Sequence, residues 1–132
     1  MPVITLTTNV KFDSAEATKA FVREFSKFCE MTIRKDLKYL NVNFLYNPYL
    51  TFGDTFDPAL TLNVMSLFNI NAENAIVWSK AFSEFFQEKL GVPSDRGYMA
   101  FLDPGAEFIG FRGTTIAEGI RVNAAAKDHQ RP

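Results

Sequence analysis

A strand–helix–strand pattern occurs twice in this chain, and that repetition restricts the folds open to it more than any other feature. "VITLTT" at 3–8 puts Ile4, Leu6 and Thr8 on one side and Val3, Thr5 and Thr7 on the other, the alternation of a strand rich in β-branched residues. "DSAE" follows, with Asp13 in an N-cap position and Glu16 three residues on, a capping-box variant. Ala17, Phe21, Phe25, Phe28 and Cys29 then recur at helical spacing, which predicts an amphipathic helix over 14–33. "YLNVNFLY" at 39–46 alternates again, with Leu40, Val42, Phe44 and Tyr46 on one face. The pattern restarts with "LTLNVMSLF" at 60–68, a helix from an Asn71 cap to about Leu90 with Gly91 as the terminating glycine, and "YMAFLD" at 98–103. The two copies are offset by roughly 57 residues, the mark of a duplicated βαβ unit rather than a solenoid.

Two such units predict an α+β fold: one four-stranded sheet with both helices on the same face. The other face would be bare and would show its aromatic residues to water, so an oligomer is expected to cover it. "NPYLTFGD" at 47–54 is turn-rich and predicts a short hairpin excursion, and the glycine-punctuated "GAEFIGFRGTTI" at 105–116 suits a short strand or hairpin. From Ala117 the periodicity is lost beyond Ile120 and Val122. The chain thus divides into a domain over 1–116 and a loosely attached, flexible tail over 117–132.

Composition removes several classes of function. At 132 residues there is material for one core, and a net charge of −1 leaves no basic excess to grip nucleic acid. No apolar run is long enough to span a bilayer, and the N-terminus lacks the basic and apolar regions of a conventional secretion signal. One cysteine, Cys29, and one histidine, His129, cannot form an internal disulfide, a Cys/His zinc site or a Ser-His-Asp triad with an obvious partner. Cys29 falls on the apolar helix face and reads as a small buried hydrophobe. Fourteen phenylalanines demand either a very aromatic core or an interface that hides the surplus.

A base, if there is one, must be unusual, and the opening "MPVITLTTN" offers a candidate. Met followed by proline is a sequence from which the initiator is commonly removed. Removal leaves Pro2 with a secondary amine able to act as base or nucleophile; retention leaves an ordinary strand residue. Both readings stand on these residues alone.

"MPVITLTTN" at 1–9, "RKDLKYLNV" at 34–42, "TFGDTFDPALTLNVMSLFNI" at 51–70, "SKAFSEFFQEKLGVPSDRGY" at 79–98 and "GFRGTTI" at 110–116, in this order and spacing, resemble the macrophage migration inhibitory factor and D-dopachrome tautomerase family of the tautomerase superfamily. The resemblance covers about residues 2–116. It implies a homotrimer with an active site at each subunit interface, and Pro2 as catalytic base in a cofactor-free keto–enol isomerisation. An α-amine titrates about two units below lysine, and burial or a nearby cation lowers it further. The substrate-binding positions carried over are Lys35 for a substrate carboxylate, Leu67 through its backbone amide, Tyr98 from the adjacent subunit, and Ile109 and Phe111 on the apolar rim, with Ile116 beside them. Lys35 has a plainer reading beside Arg34 and Lys38, as part of a solvated basic patch at a helix end.

The chain also departs from the family pattern. Ala100 stands where an asparagine hydrogen-bonds the distal end of the substrate, Phe111 replaces a tryptophan, and Ile116 replaces a phenylalanine. Ala59 and Leu62 replace the cysteines of a CxxC, which excludes thiol–disulfide chemistry. Arg112 is an added charge near the rim, either a carboxylate ligand or simply solvated. The resemblance therefore implies a tautomerase of phenylpyruvate-like α-keto acids needing no cofactor and no metal. The alternative is a trimeric, cytokine-like protein that binds a receptor and keeps a weak or vestigial pocket. A third chemistry, hydration or decarboxylation of a small acid, would have only Arg34 and Arg112 as added cations. The resemblance further implies a cytoplasmic protein that is exported, if at all, without a signal peptide.

Overall fold

The computed structural model describes residues 1–129. The chain runs β1 (Pro2–Thr8), α1 (Ala15–Ile33), β2 (Asn41–Tyr46), β3 (Leu60–Ser66), α2 (Ala72–Leu90), β4 (Gly97–Leu102), β5 (Gly110–Phe111), β6 (Thr114–Thr115) and α3 (Ile116–His129), with 3-10 turns at Leu37–Tyr39 and Ala106–Phe108. The main sheet has the order β2-β1-β3-β4. The pairs β1–β2 and β3–β4 are parallel, each joined by its own helix, and the two units meet antiparallel along β1–β3. This is the duplicated α+β sandwich predicted from the pattern. Among the described residues no helix is long and apolar enough to cross a membrane.

Local chemistry sets the helix ends. Asn71 caps α2 by accepting the Asn74 N–H, and Gly91 ends the helix at φ 68°, a left-handed conformation that costs glycine nothing. At α1 the cap is Ser14 rather than Asp13: the Ser14 hydroxyl accepts the Ala17 N–H at 3.0 Å. Both residue types cap well, so spacing alone did not separate neighbours. Strand β3 stops at Ser66, short of the predicted 68, because Phe68 turns the chain at φ 72°.

Ile4 and Leu6 of β1 and Leu60, Leu62 and Val64 of β3 face the helices and are buried. Over them lies an aromatic layer: Phe21 and Phe25 of α1 against Phe82, Phe85 and Phe86 of α2, with Phe25 and Phe86 rings 5.4 Å apart. Burying one such ring contributes about 1.5–3 kcal/mol, and each favourable ring pair adds about 0.5–1.5 kcal/mol. The surplus phenylalanines thus mostly build the core. Phe56, Phe68, Phe108 and Phe111 remain exposed.

The uncovered face departs from expectation. Its cross-strand rows are Asn41–Val3–Met65–Leu102, Asn43–Thr5–Asn63–Ala100 and Leu45–Thr7–Thr61–Tyr98. Threonines, asparagines and aliphatic residues line it, and Tyr98 is its one aromatic. Such a face tolerates water better than the aromatic surface foreseen.

At the end of β1, Thr8 and the following Asn9 tie down the excursion. The buried Thr8 hydroxyl donates to the Ala59 carbonyl at 2.8 Å. The Asn9 amide donates to the carbonyls of Leu50, Phe56 and Asp57, and its oxygen accepts the Ala59 N–H. From the other side the Arg96 guanidinium donates to the carbonyls of Phe52, Thr55, Asp57 and Pro58.

The pattern predicts no element beyond Ala117, whereas the structure makes Ile116–His129 a helix. Its cause is local. Thr115 and Glu118 hold capping-box spacing, the Thr115 hydroxyl accepting the Glu118 N–H at 3.1 Å, and "NAAAK" supplies strong helix formers. Glu118 also accepts from Arg121 Nε at 2.9 Å one turn on. The last part of the predicted tail, 130–132, lies outside the described residues.

Candidate functional site

Pro2 begins β1, the inner strand next to β2, and is fully buried, paired in register with Ser66 of β3. The chain's free N-terminus therefore lies at the end of the sheet where β3 leaves for α2. On the β3 side, Ser66 donates from its hydroxyl to the Asn69 side-chain oxygen at 2.6 Å, and Asn69 in turn donates to the Ile33 carbonyl. That chain of bonds links the end of α1 to the end of β3.

Lys35 is placed by this linkage. Arg34 closes α1 in the left-handed region at φ 62°, with its N–H on the Glu30 carbonyl, and so redirects the chain. The Lys35 ammonium then donates to the Leu67 carbonyl at 3.0 Å, one residue past Ser66. Burial first, and the Lys35 charge second, lower the pKa of the Met1 amine at the chain start. Both act by disfavouring the charged form. An amine at this end of β1 is thus biased toward the neutral state that a base requires.

Asp103 completes this side, and sequence reasoning missed it. Its two carboxylate oxygens accept the N–H groups of Phe68 and Gly105, each at 2.9 Å. These bonds hold its pKa below the usual carboxylate range, with a smaller contribution from nearby Lys35. The loop carrying Leu67 is thereby tied to the end of β4.

On the β2 side, Pro2 opens onto a cavity of about 180 Å³ lined by Met1, Val3, Tyr39, Asn41, Ile109 and Phe111, with Ile116 at its edge. Residues Ile109 to Ile116 reach it through a tight hairpin, β5–β6. Arg112 and Gly113 form the two-residue turn with φ 56° and 80°, and the Ile116 N–H bonds the Ile109 carbonyl at 2.8 Å. Phe111 meets Tyr39 edge to face at 6.2 Å, and the Arg112 guanidinium lies over the Phe111 ring at 5.0 Å. Arg112 also borders a larger groove, about 550 Å³, between the hairpin and Ile120 and Val122 of α3.

Of the residues singled out in the sequence, Pro2, Ile109 and Phe111 share the cavity, and Lys35 and Leu67 are bonded to one another beside it. Leu67 itself is buried. Tyr98 is elsewhere: it pairs with Thr61, whereas Pro2 pairs with Ser66. Five residues of strand, roughly 17 Å, separate the two positions. Tyr98 is 76 % exposed and packs on Phe52, with ring centroids 5.3 Å apart. Tyr39 and Asn41 line the cavity but were read only as strand residues. Their approach to Phe111 joins segments some seventy residues apart, which no local spacing reveals. Cys29 is buried, and burial pushes its thiol pKa up, so it is an inert core residue.

A duplicated βαβ sheet with the chain terminus in a lysine-flanked apolar cleft defines a protein of the tautomerase-superfamily fold. The sequence profile of the macrophage migration inhibitory factor family matches residues 1–117. The chain belongs to that family. It is 26% identical over 117 residues to the macrophage migration inhibitory factor of Xenopus laevis, covering 89% of this chain and 100% of that protein. It is 28% identical over 116 residues to the homologue from Trichinella spiralis, covering 88% of this chain and 100% of the relative. The solved Trichinella spiralis structure superposes with a TM-score of 0.77 at 26% identity, covering 86% of this chain and 98% of that one. The homologue from Prochlorococcus marinus shares the fold at a TM-score of 0.75 and 24% identity, covering 86% and 98%. Membership supports a tautomerase or cytokine-like function in general terms.

Proposed function

We propose that, once Met1 is removed, this chain is a cofactor-independent keto–enol tautomerase of phenylpyruvate-like α-keto acids, with Pro2 as general base. The observation that carries the reading is the placement of the Met1 amine, partly buried and near Lys35, at an apolar cavity that Pro2 also lines, so that removal of Met1 puts the Pro2 amine in the same surroundings. With Met1 in place the Pro2 nitrogen is an amide and holds no basic lone pair. As a free secondary amine it accepts a proton from C3 of the keto acid. The C3–H electron pair then forms the C2=C3 bond, and the carbonyl oxygen takes up a proton, giving the enol; the reverse sequence ketonises it. Lys35 faces the substrate carboxylate. Leu67 offers backbone contact, and Ile109 and Phe111 flank the apolar end.

The active form in this proposal is a homotrimer in which Tyr98 comes from a neighbouring copy. The distance between Tyr98 and Pro2 within one subunit supports that reading, as do the open edges β2 and β4 and the uncovered sheet face. Residues 1–116 carry the chemistry, with 117–132 an appendage.

A second reading, a cytokine-like protein that binds a receptor and keeps a residual pocket, draws support from Ala100, which supplies no hydrogen bond. Cytoplasmic synthesis and export without a signal peptide would accompany it. The intact mass of the native protein, followed by a phenylpyruvate keto–enol assay against Pro2→Gly, separates the readings. Loss of methionine with activity that collapses in the variant is the expected result. A clipped but inactive protein favours the binding role, and activity with Met1 retained overturns the proline mechanism.

A further inference from the structure

We propose that Asn41 is the specificity-determining residue for the distal end of the substrate, selecting 2-oxo acids whose far end carries a hydroxyl or carbonyl oxygen. The inference rests on the tautomerase reading and deepens it. Sheet order supplies the first argument. Pro2 lies on β1 between β3, whose end leads to Leu67 and the Lys35 ammonium, and β2, which carries Asn41. A substrate with its carboxylate toward Lys35 and its reacting carbon at Pro2 has its other end directed toward β2.

The cavity wall supplies the second. Among the side chains lining it, only Tyr39 and Asn41 are polar, and Asn41 is the only one bearing N–H groups. Asn41 pairs in register with Val3, so its backbone is one strand spacing, about 4.8 Å, from the residue after Pro2.

The third argument is the hydrogen bond already made. Asn43, two residues along the same face, donates its amide to the Asn41 side-chain oxygen at 3.0 Å. That bond uses one lone pair of the exposed Asn41 side-chain oxygen and biases its orientation, while its N–H donors have no partner among the described residues. An unspent donor recognises an oxygen and gains little from a bare ring. Ala100, on the far edge strand, cannot make such a bond. Recognition thus moves to the subunit that also holds the base.

The test is calorimetric titration of the full-length protein with phenylpyruvate and with 4-hydroxyphenylpyruvate, with turnover measured on the same samples. Wild type should bind the hydroxylated ligand about fivefold to tenfold more tightly, the effect of one neutral hydrogen bond. Asn41→Ala should erase that preference, read as the ratio of the two dissociation constants, and Asn41→Leu, close in volume but with no hydrogen-bonding group, should do the same. Asn43→Ala should reduce the preference only in part. A preference that survives Asn41→Ala, or equal weakening toward both ligands, overturns the assignment. Binding that follows the expected pattern without turnover sinks the tautomerase reading and leaves the Asn41 assignment standing. Failure of both ligands to bind overturns the two together.

Discussion

The first βαβ half and the second are built alike. Helices α1 and α2 each run 19 residues, each starts behind a polar cap that accepts the N–H three residues on, and each ends on a left-handed residue. Their ends differ. The second half closes with Gly91 and leads into the buried Val92, while the first closes with Arg34 and delivers Lys35 to the Leu67 carbonyl. Their strands differ as well. β1 begins at the chain terminus, whereas the N–H of Leu60, which opens β3, is bonded to the Arg96 carbonyl. Duplication has copied the scaffold but not the chemistry. The candidate site lies where one copy offers a free end and a cation that the other lacks.

The difference can be attacked directly, beginning with the terminus. Pro2→Gly, which keeps a primary amine at the terminus but loses the ring that holds it, should lower phenylpyruvate ketonisation by roughly a hundredfold, the effect of a misplaced catalytic group. Unfolding of the same variant should remain cooperative; an unchanged rate would place the chemistry elsewhere. The shared core, by contrast, should treat the halves equally. Phe25→Ala and Phe82→Ala, one from each helix and both fully buried, should each cost about 3–5 kcal/mol in denaturant unfolding. A large gap between them would show that one half carries the stability.

Lys35→Met should raise KM for the carboxylate substrate about tenfold, the loss of one charge-assisted contact. It should also move the acid limb of the rate profile to higher pH. The sign follows from the two causes that lower the pKa of the Met1 amine, burial and the Lys35 charge, carried over to the adjacent Pro2 amine: removing the cation abolishes one of them and the amine protonates more readily. A limb that stays in place would mean that Lys35 does not act on the base. Smallest and most diagnostic is the pair at the helix ends. Arg34→Gly should stabilise the fold and Gly91→Ala destabilise it, each by about 1 kcal/mol, because both positions have positive φ and only glycine adopts it freely. Thermal unfolding of the two variants giving shifts of the same sign would undo the parallel between the helix ends.

Much of the scaffold was legible because it repeats. Alternation named four strands, and Asn71 and Gly91 marked both ends of α2, since their chemistry is local. The errors have local causes too. Asp13 and Ser14 are both good caps, and the Thr115–Glu118 spacing that starts α3 is short, polar and easily passed over beside a glycine-rich hairpin. The site was less legible. Pro2 was a candidate from the Met-Pro opening and gained its role, with Lys35, from the family resemblance, while Tyr39, Asn41 and Asp103 went unnoticed because partners of theirs are distant in sequence. Asp103 is an acid after a strand until its two oxygens are seen on Phe68 and Gly105. The aromatic count foretold a ring-filled core, but not that the uncovered face of the sheet would keep a single ring, Tyr98.

Asn9 and Arg96 hold the 50–59 excursion almost wholly by its carbonyl oxygens, groups that every amino acid possesses. Apart from Gly53 and Asp54, which turn it in the left-handed region at φ 58° and 60°, the shape of that loop is therefore largely decoupled from the letters that spell it. Mutation can rewrite its exposed side chains, Phe56 among them, without altering the path of the backbone. A surface fixed in form and open in wording is free to change what it meets while the sheet behind it stays the same.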